Sequence, residues 1–217
     1  MTSGAATNLL LIRHGETAWN AEHRIQGRLD VPLSTAGVWQ TGRLAQRLAE
    51  EAIDAVISSD LARAWMTGAP LADARGLTMV PEPRLRERAF GIFEGKTLDE
   101  IAAGHPDELV AWRSRDVDWR IPGGESGAEF IDRVLVALHE IADAYAGRTV
   151  AVVTHGGVLD VVYRNARALA WDAPRDHLML NASINRLQAR TGPLRLQIVD
   201  WADIAHLEHA RDELAAP

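Results

Sequence analysis

The chain has 217 residues, 47% hydrophobic and 24% charged, with 17 glycines and 9 prolines, which excludes disordered, collagenous and low-complexity classes. A net charge of −7, from 23 Lys+Arg against 30 Asp+Glu, argues against a broad cationic face, so no nucleic-acid partner is expected. Cysteine is absent, which removes disulfide frameworks, zinc–thiolate sites, iron–sulfur clusters and cysteine nucleophiles.

The first apolar run, Leu9–Ile12, reads as a strand. It is far shorter than the ~20 residues of a bilayer span, and no basic stretch precedes it, so neither membrane association nor a secretory leader is expected and a cytoplasmic location is. Ser34 is placed to cap a helix carrying Val38, Leu44, Ala45 and Leu48. Ala55–Ile57 forms a second short strand, and the helix after Asp60 is expected to be short or kinked at Pro70. Thr97 with Glu100, and Ser126 with Glu129, have capping-box spacing. The latter opens a helix with the stripe Phe130, Val134, Leu138 and Ile141, ended by Gly147. Val150–Val153 is the third strand, followed by a helix from Gly156-Gly157 through Val158, Val161, Val162 and Leu169.

Leu194, Leu196 and Ile198 then alternate with Arg195 and Gln197, and the turn Thr191-Gly192-Pro193 joins them to Ser183–Arg190 in an antiparallel edge hairpin. The three apolar runs lack polar alternation, as strands covered on both faces do. The fold class is therefore α/β, a three-layer α/β/α sandwich with a mostly parallel central sheet and an antiparallel edge strand. With no linker or repeat, a single domain over 1–217 is expected, carrying a variable substrate or lid segment at about 96–121. An apolar edge at the terminal hairpin offers a route to a homodimer.

In open α/β sheets ligands sit beyond the carboxyl ends of the strands. The first run leads into Arg13-His14-Gly15, the second into Ser58-Ser59-Asp60 with Arg63 beyond, the third into Thr154-His155-Gly156-Gly157. If the strands are neighbours, two imidazoles and two arginines meet at one rim. Guanidinium forks match phosphate oxygens, a helix N-terminus after Gly156 adds N–H donors, and glycine beside each histidine permits close backbone approach. Nearby arginines disfavour imidazolium and leave a ring nitrogen free to attack. An acid is then required to protonate the leaving oxygen.

Several blocks resemble the histidine phosphatase superfamily in its phosphoglycerate-mutase-like branch: Arg13–Asn20 (RHGETAWN), Gln26-Gly27 with Asp30–Ser34, Ser59–Arg63 (SDLAR), Leu85–Gly95 (LRERAFGIFEG), Pro122–Ser126 (PGGES) and Val153–Gly157 (VTHGG). They occur in the family's order, to about residue 160. The resemblance implies that His14 is the nucleophile forming a phosphohistidine, that Arg13, Arg63 and His155 clamp the phosphoryl oxygens, and that Glu87 is the proton donor. It implies that Asn20, Gln26, Gly27 and the backbone of Gly156 contact substrate or phosphate. It implies a small phosphomonoester as substrate, and no metal or other cofactor.

Mutases resembling this chain carry Glu-Arg-x-Tyr-Gly and a longer insertion with paired arginines. Here the segment is Glu87-Arg88-Ala89-Phe90-Gly91, and Arg113, Arg115 and Arg120 are not adjacent. This departure favours a phosphatase, with a bisphosphoglycerate-dependent mutase and a non-catalytic phosphate-binding module as alternatives. Leaving-group contacts are expected from Lys96–Ile121 and from Asn181–Asn185. Glu125 is read as answering a helix dipole, and Trp19 as packing the catalytic loop, the other tryptophans being core or lid residues. His23, His105, His139 and His177 are expected in solvent, His23 alone being also a pocket candidate. His206 and His209 are assigned to an exposed terminal helix rather than to a metal.

Overall fold

The computed structural model describes residues 5–190 and 192–207. In chain order its elements are β1 (Thr7–Arg13), α1 (Ala18–Ala21), α2 (Thr35–Arg47), β2 (Ala55–Ser58), α3 (Ala62–Asp73), β3 (Met79–Pro81), α4 (Leu98–Gly104), α5 (Pro106–Arg113), α6 (Gly127–Ala144), β4 (Thr149–Thr154), α7 (Gly156–Arg167), β5 (Ile184–Arg190) and β6 (Arg195–Asp203). Among the described residues the strands form one sheet in the order β3-β2-β4-β1-β5-β6. β1, β2, β3 and β4 run parallel, β5 is antiparallel to β1, and β6 is antiparallel to β5.

The side-chain alternation of β1 separates the two cores. Leu9 and Leu11 join Phe130, Val134 and Leu138 of α6 and Val158 and Val162 of α7 on one face. Leu10 and Ile12 join Leu44 of α2 and Ala64 and Leu71 of α3 on the other. This is the expected three-layer sandwich. A third, smaller apolar cluster of Phe93, Ile101, Leu109 and Ile121 packs α4 and α5 together.

The caps form as their spacing dictates. Ser34 accepts from the Gly37 N–H at 3.1 Å, and reciprocal capping boxes close at Thr97/Glu100 and Ser126/Glu129. Four local expectations need correction. α3 continues through Pro70 to Asp73, because Leu71 and Ala72 are buried in the core and their packing outweighs the hydrogen bond proline cannot donate. Val38 lies off the buried side of α2 and is 51% exposed. α7 ends at Arg167, where Ala168 adopts φ 52°, so Leu169 follows the helix. The short strand β3 carries no clear apolar pattern and was not anticipated. Of the expected terminal turn, Thr191 lies outside the described residues. Among the described residues no helix is long and apolar enough to cross a membrane.

Candidate active site

Pairing of β1 with β4 sets Arg13 opposite Thr154, so the residues that follow, His14 and His155, leave the sheet side by side. The His14 N–H donates to the Thr154 carbonyl at 2.9 Å, and the two imidazole centroids are 5.2 Å apart. Both rings are buried, at 3% and 0% exposure.

His14 Nδ1 lies 2.7 Å from the Gly15 carbonyl. A carbonyl can only accept, so Nδ1 carries the proton and Nε2 of the neutral ring keeps its lone pair. Burial is the main cause that holds the His14 pKa well below 6.5, with the charges of Arg13 and Arg63 acting in the same direction. Gly15 is held in turn by Thr67 of α3, whose hydroxyl accepts its N–H at 2.9 Å. His155 Nε2 lies 2.8 Å from Ser59 Oγ. Ser59 Oγ also accepts from Leu61 N–H at 3.4 Å, which leaves its own proton for Nε2 and favours an Nδ1–H tautomer. Nδ1 has no hydrogen-bond partner. Burial first, then Arg63, keep the His155 pKa well below 6.5.

Arg63 is fully buried at the start of α3. Its Nη1 and Nη2 donate to the Leu29 and Gly27 carbonyls at 2.9 and 2.7 Å, while Nε is unpartnered. Burial pulls its pKa down to about 10. Arg13 donates through Nη1 to the Met179 carbonyl, and its Nε is likewise unpartnered. Burial lowers its pKa too. Buried donors without partners are costly, and three such N–H groups belong to residues that neighbour or bear on His14, a donor set suited to an acceptor-rich anion.

Glu87 is fixed by backbone donors, the Gly157 N–H to Oε2 at 3.0 Å and the Arg88 N–H to Oε1 at 2.8 Å. A Cβ on Gly157 would lie 2.2 Å from Glu87 Oε1, so glycine is required there for the carboxylate to reach the first turn of α7. A cavity of about 280 Å³ is lined by Arg13, His14, Gln26, Arg63, Glu87 and Gly156, among others. The cavity therefore brings together Arg13, His14, Arg63, Glu87, Gln26, Gly27 and Gly156, with His155 outside the lining but beside His14, ring centroids 5.2 Å apart. Gln26 presents an unpartnered buried Oε1. Gly27, at φ +53°, has Glu94 where a Cβ would stand, 2.2 Å from Glu94 Oε1, so its carbonyl can meet Arg63. Asn20 is set apart. Its Oδ1 caps α1, accepting from the Thr17 N–H at 3.0 Å, and Asn20 is absent from the cavity lining.

Other residues take different places from those expected. Glu125 accepts from the Ala89 N–H and from Arg133, and pairs with Arg28; it ties the Glu87 loop to α6 rather than answering a helix dipole. His177 is buried and stacked on Tyr163 with centroids 3.9 Å apart. His105 is half-buried, its ring 6.5 Å from that of Phe93. His23, by contrast, is exposed as expected, and lies outside the cavity lining. His206 is buried in a short 3₁₀ turn, Ala205–Leu207, not on an exposed helix, and His209 lies outside the described residues. Asn181 and Asn185 donate to the carbonyls of His14 and Leu11, both at 3.0 Å, and so brace β1 and the residue that follows it. Ser59, Thr67 and Gly157 were not singled out in the sequence. The signal for Ser59 was its place at a strand end beside two histidine-bearing ends.

Replacing Ser59 with alanine removes the hydrogen bond that orients His155. We expect kcat/KM to fall about tenfold with the fold intact, as befits one lost buried hydrogen bond; steady-state kinetics and a thermal melt check this together. The depressed pKa values also set a pH dependence. Between the unfolded value of 6.5 and the lower folded values of His14 and His155, the unfolded chain binds more protons, so stability falls as pH drops below 6.5. The slope reaches at most about 1.4 kcal/mol per pH unit for each ring, and denaturant titrations at stepwise pH read it directly.

Residues 9–203 match the family described as the histidine phosphatase superfamily, branch 1. The chain is 40% identical over 203 residues to phosphoglycerate mutase-like protein 4 of Arabidopsis thaliana, covering 92% of this chain and 86% of that one. It is 39% identical to a protein named "Probable phosphoglycerate mutase GpmB" of Yersinia pestis strain Pestoides F, over 94% of this chain and 97% of that one. Among solved structures, Bacillus stearothermophilus YhfR superposes with a TM-score of 0.83 at 32% identity, covering 93% of this chain and 100% of that one. A mycobacterial glucosyl-3-phosphoglycerate phosphatase in complex with VO3 superposes with a TM-score of 0.76 at 33% identity, over 89% and 98% of the two chains. The paired histidines and arginines at the rim of this sheet thus belong to a member of the histidine phosphatase superfamily, branch 1.

Proposed function

We propose that the protein is a phosphomonoesterase that hydrolyses a small phosphorylated metabolite through a phosphohistidine on His14, with Glu87 as proton donor. The observation that carries this reading is the unprotonated Nε2 of His14 beside the unpartnered N–H groups of Arg13, Arg63 and His155. Nε2 attacks phosphorus in line as the bond to the ester oxygen breaks, and Glu87 in its acid form protonates that oxygen. The arginines and His155 neutralise the charge of the equatorial oxygens. Water then attacks the phosphohistidine, the P–N bond breaks, and Glu87 takes the water's proton. Phosphate leaves and His14 returns to its neutral form.

Phe90 in place of tyrosine and the separated Arg113 and Arg115 favour hydrolysis. The names of the Arabidopsis and Yersinia relatives favour a second reading, phosphoryl transfer between sugar-acid hydroxyls. The test is hydrolysis of p-nitrophenyl phosphate with and without a chelator. Equal rates in both are expected. Silence there with activity on phosphoglycerate plus a bisphosphate primer would establish the mutase instead, and tight phosphate binding without turnover of any monoester would leave only a binding module.

A further inference from the structure

A second cavity of about 270 Å³ adjoins the catalytic one, and Phe90, Trp112, Gly157 and Arg175 line both. The charged residues lining it are Arg88, Arg113, Arg115 and Arg175 against Asp116 and Asp160, a local cationic excess in a chain of net charge −7. Its organising group is Asp160 of α7, whose side chain is only 2% exposed. Arg164 Nε lies 3.1 Å from its Oδ1, Arg175 reaches it through Nε and Nη2 at 3.3 and 3.1 Å, and Arg115 Nη2 stands 3.7 Å away. One carboxylate therefore holds three guanidinium groups; Asp172 also bears on Arg115, and with Asp116 counted the chamber lining still carries four arginines against two aspartates. Arg88 is a further lining cation with partners of its own: its guanidinium donates to the backbone carbonyl of Glu125, and Glu87 and Glu125 are the carboxylates that bear on it.

The cluster is also stiff. The guanidinium carbons of Arg88, Arg115 and Arg164 all lie within 5.6 to 5.9 Å of the Trp171 ring, which favours cations through its π face. Arg115 adopts φ +57°, a left-handed conformation that is strained for a non-glycine residue and is retained where surrounding contacts impose it. Arg175 differs from the others in position. Its side chain is 46% exposed, and it stands where the two cavities meet.

On the reading of the first cavity as a phosphomonoester site, we infer that the adjoining chamber receives the leaving group and that Arg175, anchored by buried Asp160, selects leaving groups bearing a second anion, a carboxylate or a phosphate. The aromatic side chains of Phe90, Trp112 and Trp119 provide the apolar wall for the carbon body between the two charges. Arg175 is the residue that meets the anion. Asp160 and Trp171 are positioning residues that act through it and through Arg115. The tryptophans at 112, 119 and 171 pack against the core clusters, as expected, and also wall this chamber, to which residues 112–119 of the expected leaving-group segments contribute.

The test uses non-hydrolysable probes, so that binding is read apart from turnover. Butylphosphonate, 5-phosphonopentanoate and butane-1,4-bisphosphonate share a four-carbon spacer and differ only in the far group. In calorimetric titrations of the whole protein, the carboxylated or the bisphosphorylated probe is expected to bind about tenfold tighter than butylphosphonate, the scale of one charge-assisted hydrogen bond. Whichever gains more names the anion. Arg175→Gln and Arg115→Gln are each expected to lose most of that ratio, and Arg175→Lys to retain part of it. Asp160→Asn should reduce it as well; because Asp160 is buried, a variant that fails to melt cooperatively is set aside and the two arginine variants decide.

Equal affinity for all three probes in the parent protein would overturn the inference, as would an unchanged ratio in Arg175→Gln. Either result combined with hydrolysis of p-nitrophenyl phosphate by the parent protein leaves the phosphatase reading standing. Conversely, a probe ratio near ten in a protein that hydrolyses no monoester keeps the anion subsite and removes the hydrolase.

Discussion

His14→Ala is expected to abolish phosphomonoester hydrolysis, with kcat/KM falling by at least about 10⁴-fold, the order associated with removal of a nucleophile. The reason lies in the ring's geometry. Nδ1 is committed to the Gly15 carbonyl at 2.7 Å, so Nε2 is the only nitrogen of that ring available for attack. His155 cannot substitute, because its Nε2 is engaged with Ser59 Oγ at 2.8 Å. The companion measurement is trapping of a radiolabelled phosphoenzyme after rapid quench. The parent protein should yield an acid-labile, base-stable adduct that maps to residue 14, and the variant none. A variant that retains near-normal hydrolysis, or an adduct on another residue, would refute the assignment. Inorganic phosphate should still bind the variant, since Arg13 and Arg63 remain, which separates loss of chemistry from loss of the pocket.

The second large effect is expected at Glu87, and it depends on the substrate. In Glu87→Gln the donor of the leaving-group proton is lost, and alkyl phosphates should slow by about 10²- to 10⁴-fold. p-Nitrophenolate is a weak base and departs with little help, so the first half-reaction with p-nitrophenyl phosphate should survive. The second half-reaction, in which Glu87 takes a proton from water, should not. The expected trace is a burst of one equivalent of p-nitrophenolate followed by slow steady turnover, read by stopped-flow absorbance. Uniform slowing of both substrates without a burst would place the acid elsewhere. The variant carries a local cost as well: both carboxylate oxygens accept backbone N–H groups, and an amide NH2 must turn one of those donors away. Glu87→Ala, lacking that clash, controls for it.

The sandwich and the core of the site were legible in the sequence because both follow from local pattern. Leu9–Ile12 and Val150–Val153 are uninterrupted apolar runs, and the histidines follow directly at their carboxyl ends. Strand adjacency then needed only the rule that ligands gather at that rim. What escaped was decided by contacts far apart in sequence. Glu125 reads as a helix-start acid until Arg133 and Ala89 are seen to converge on it. His177 reads as solvated until Tyr163 stacks against it. Pro70 reads as a helix breaker until the burial of Leu71 decides otherwise. Arg175 lies in a polar stretch with no motif, and only the fold carries it to Asp160, 15 residues earlier. Asn20 shows the converse, since its place in a motif says nothing about whether its amide caps a helix or touches a ligand.

His14 and His155 follow adjoining strands separated by most of the chain, and the first of them is bonded through its own amide to the end of the second strand. Occupancy of the pocket is therefore tied to the integrity of the sheet's centre. On the proposed phosphomonoesterase reading, phosphate should bind only the assembled form and stabilise it by mass action. Amide hydrogens at the centre of β1 and β4 should then exchange more slowly as phosphate is added. A polypeptide that stops before residue 149 should retain the RHG segment yet show no such protection until the missing half is supplied as a separate fragment.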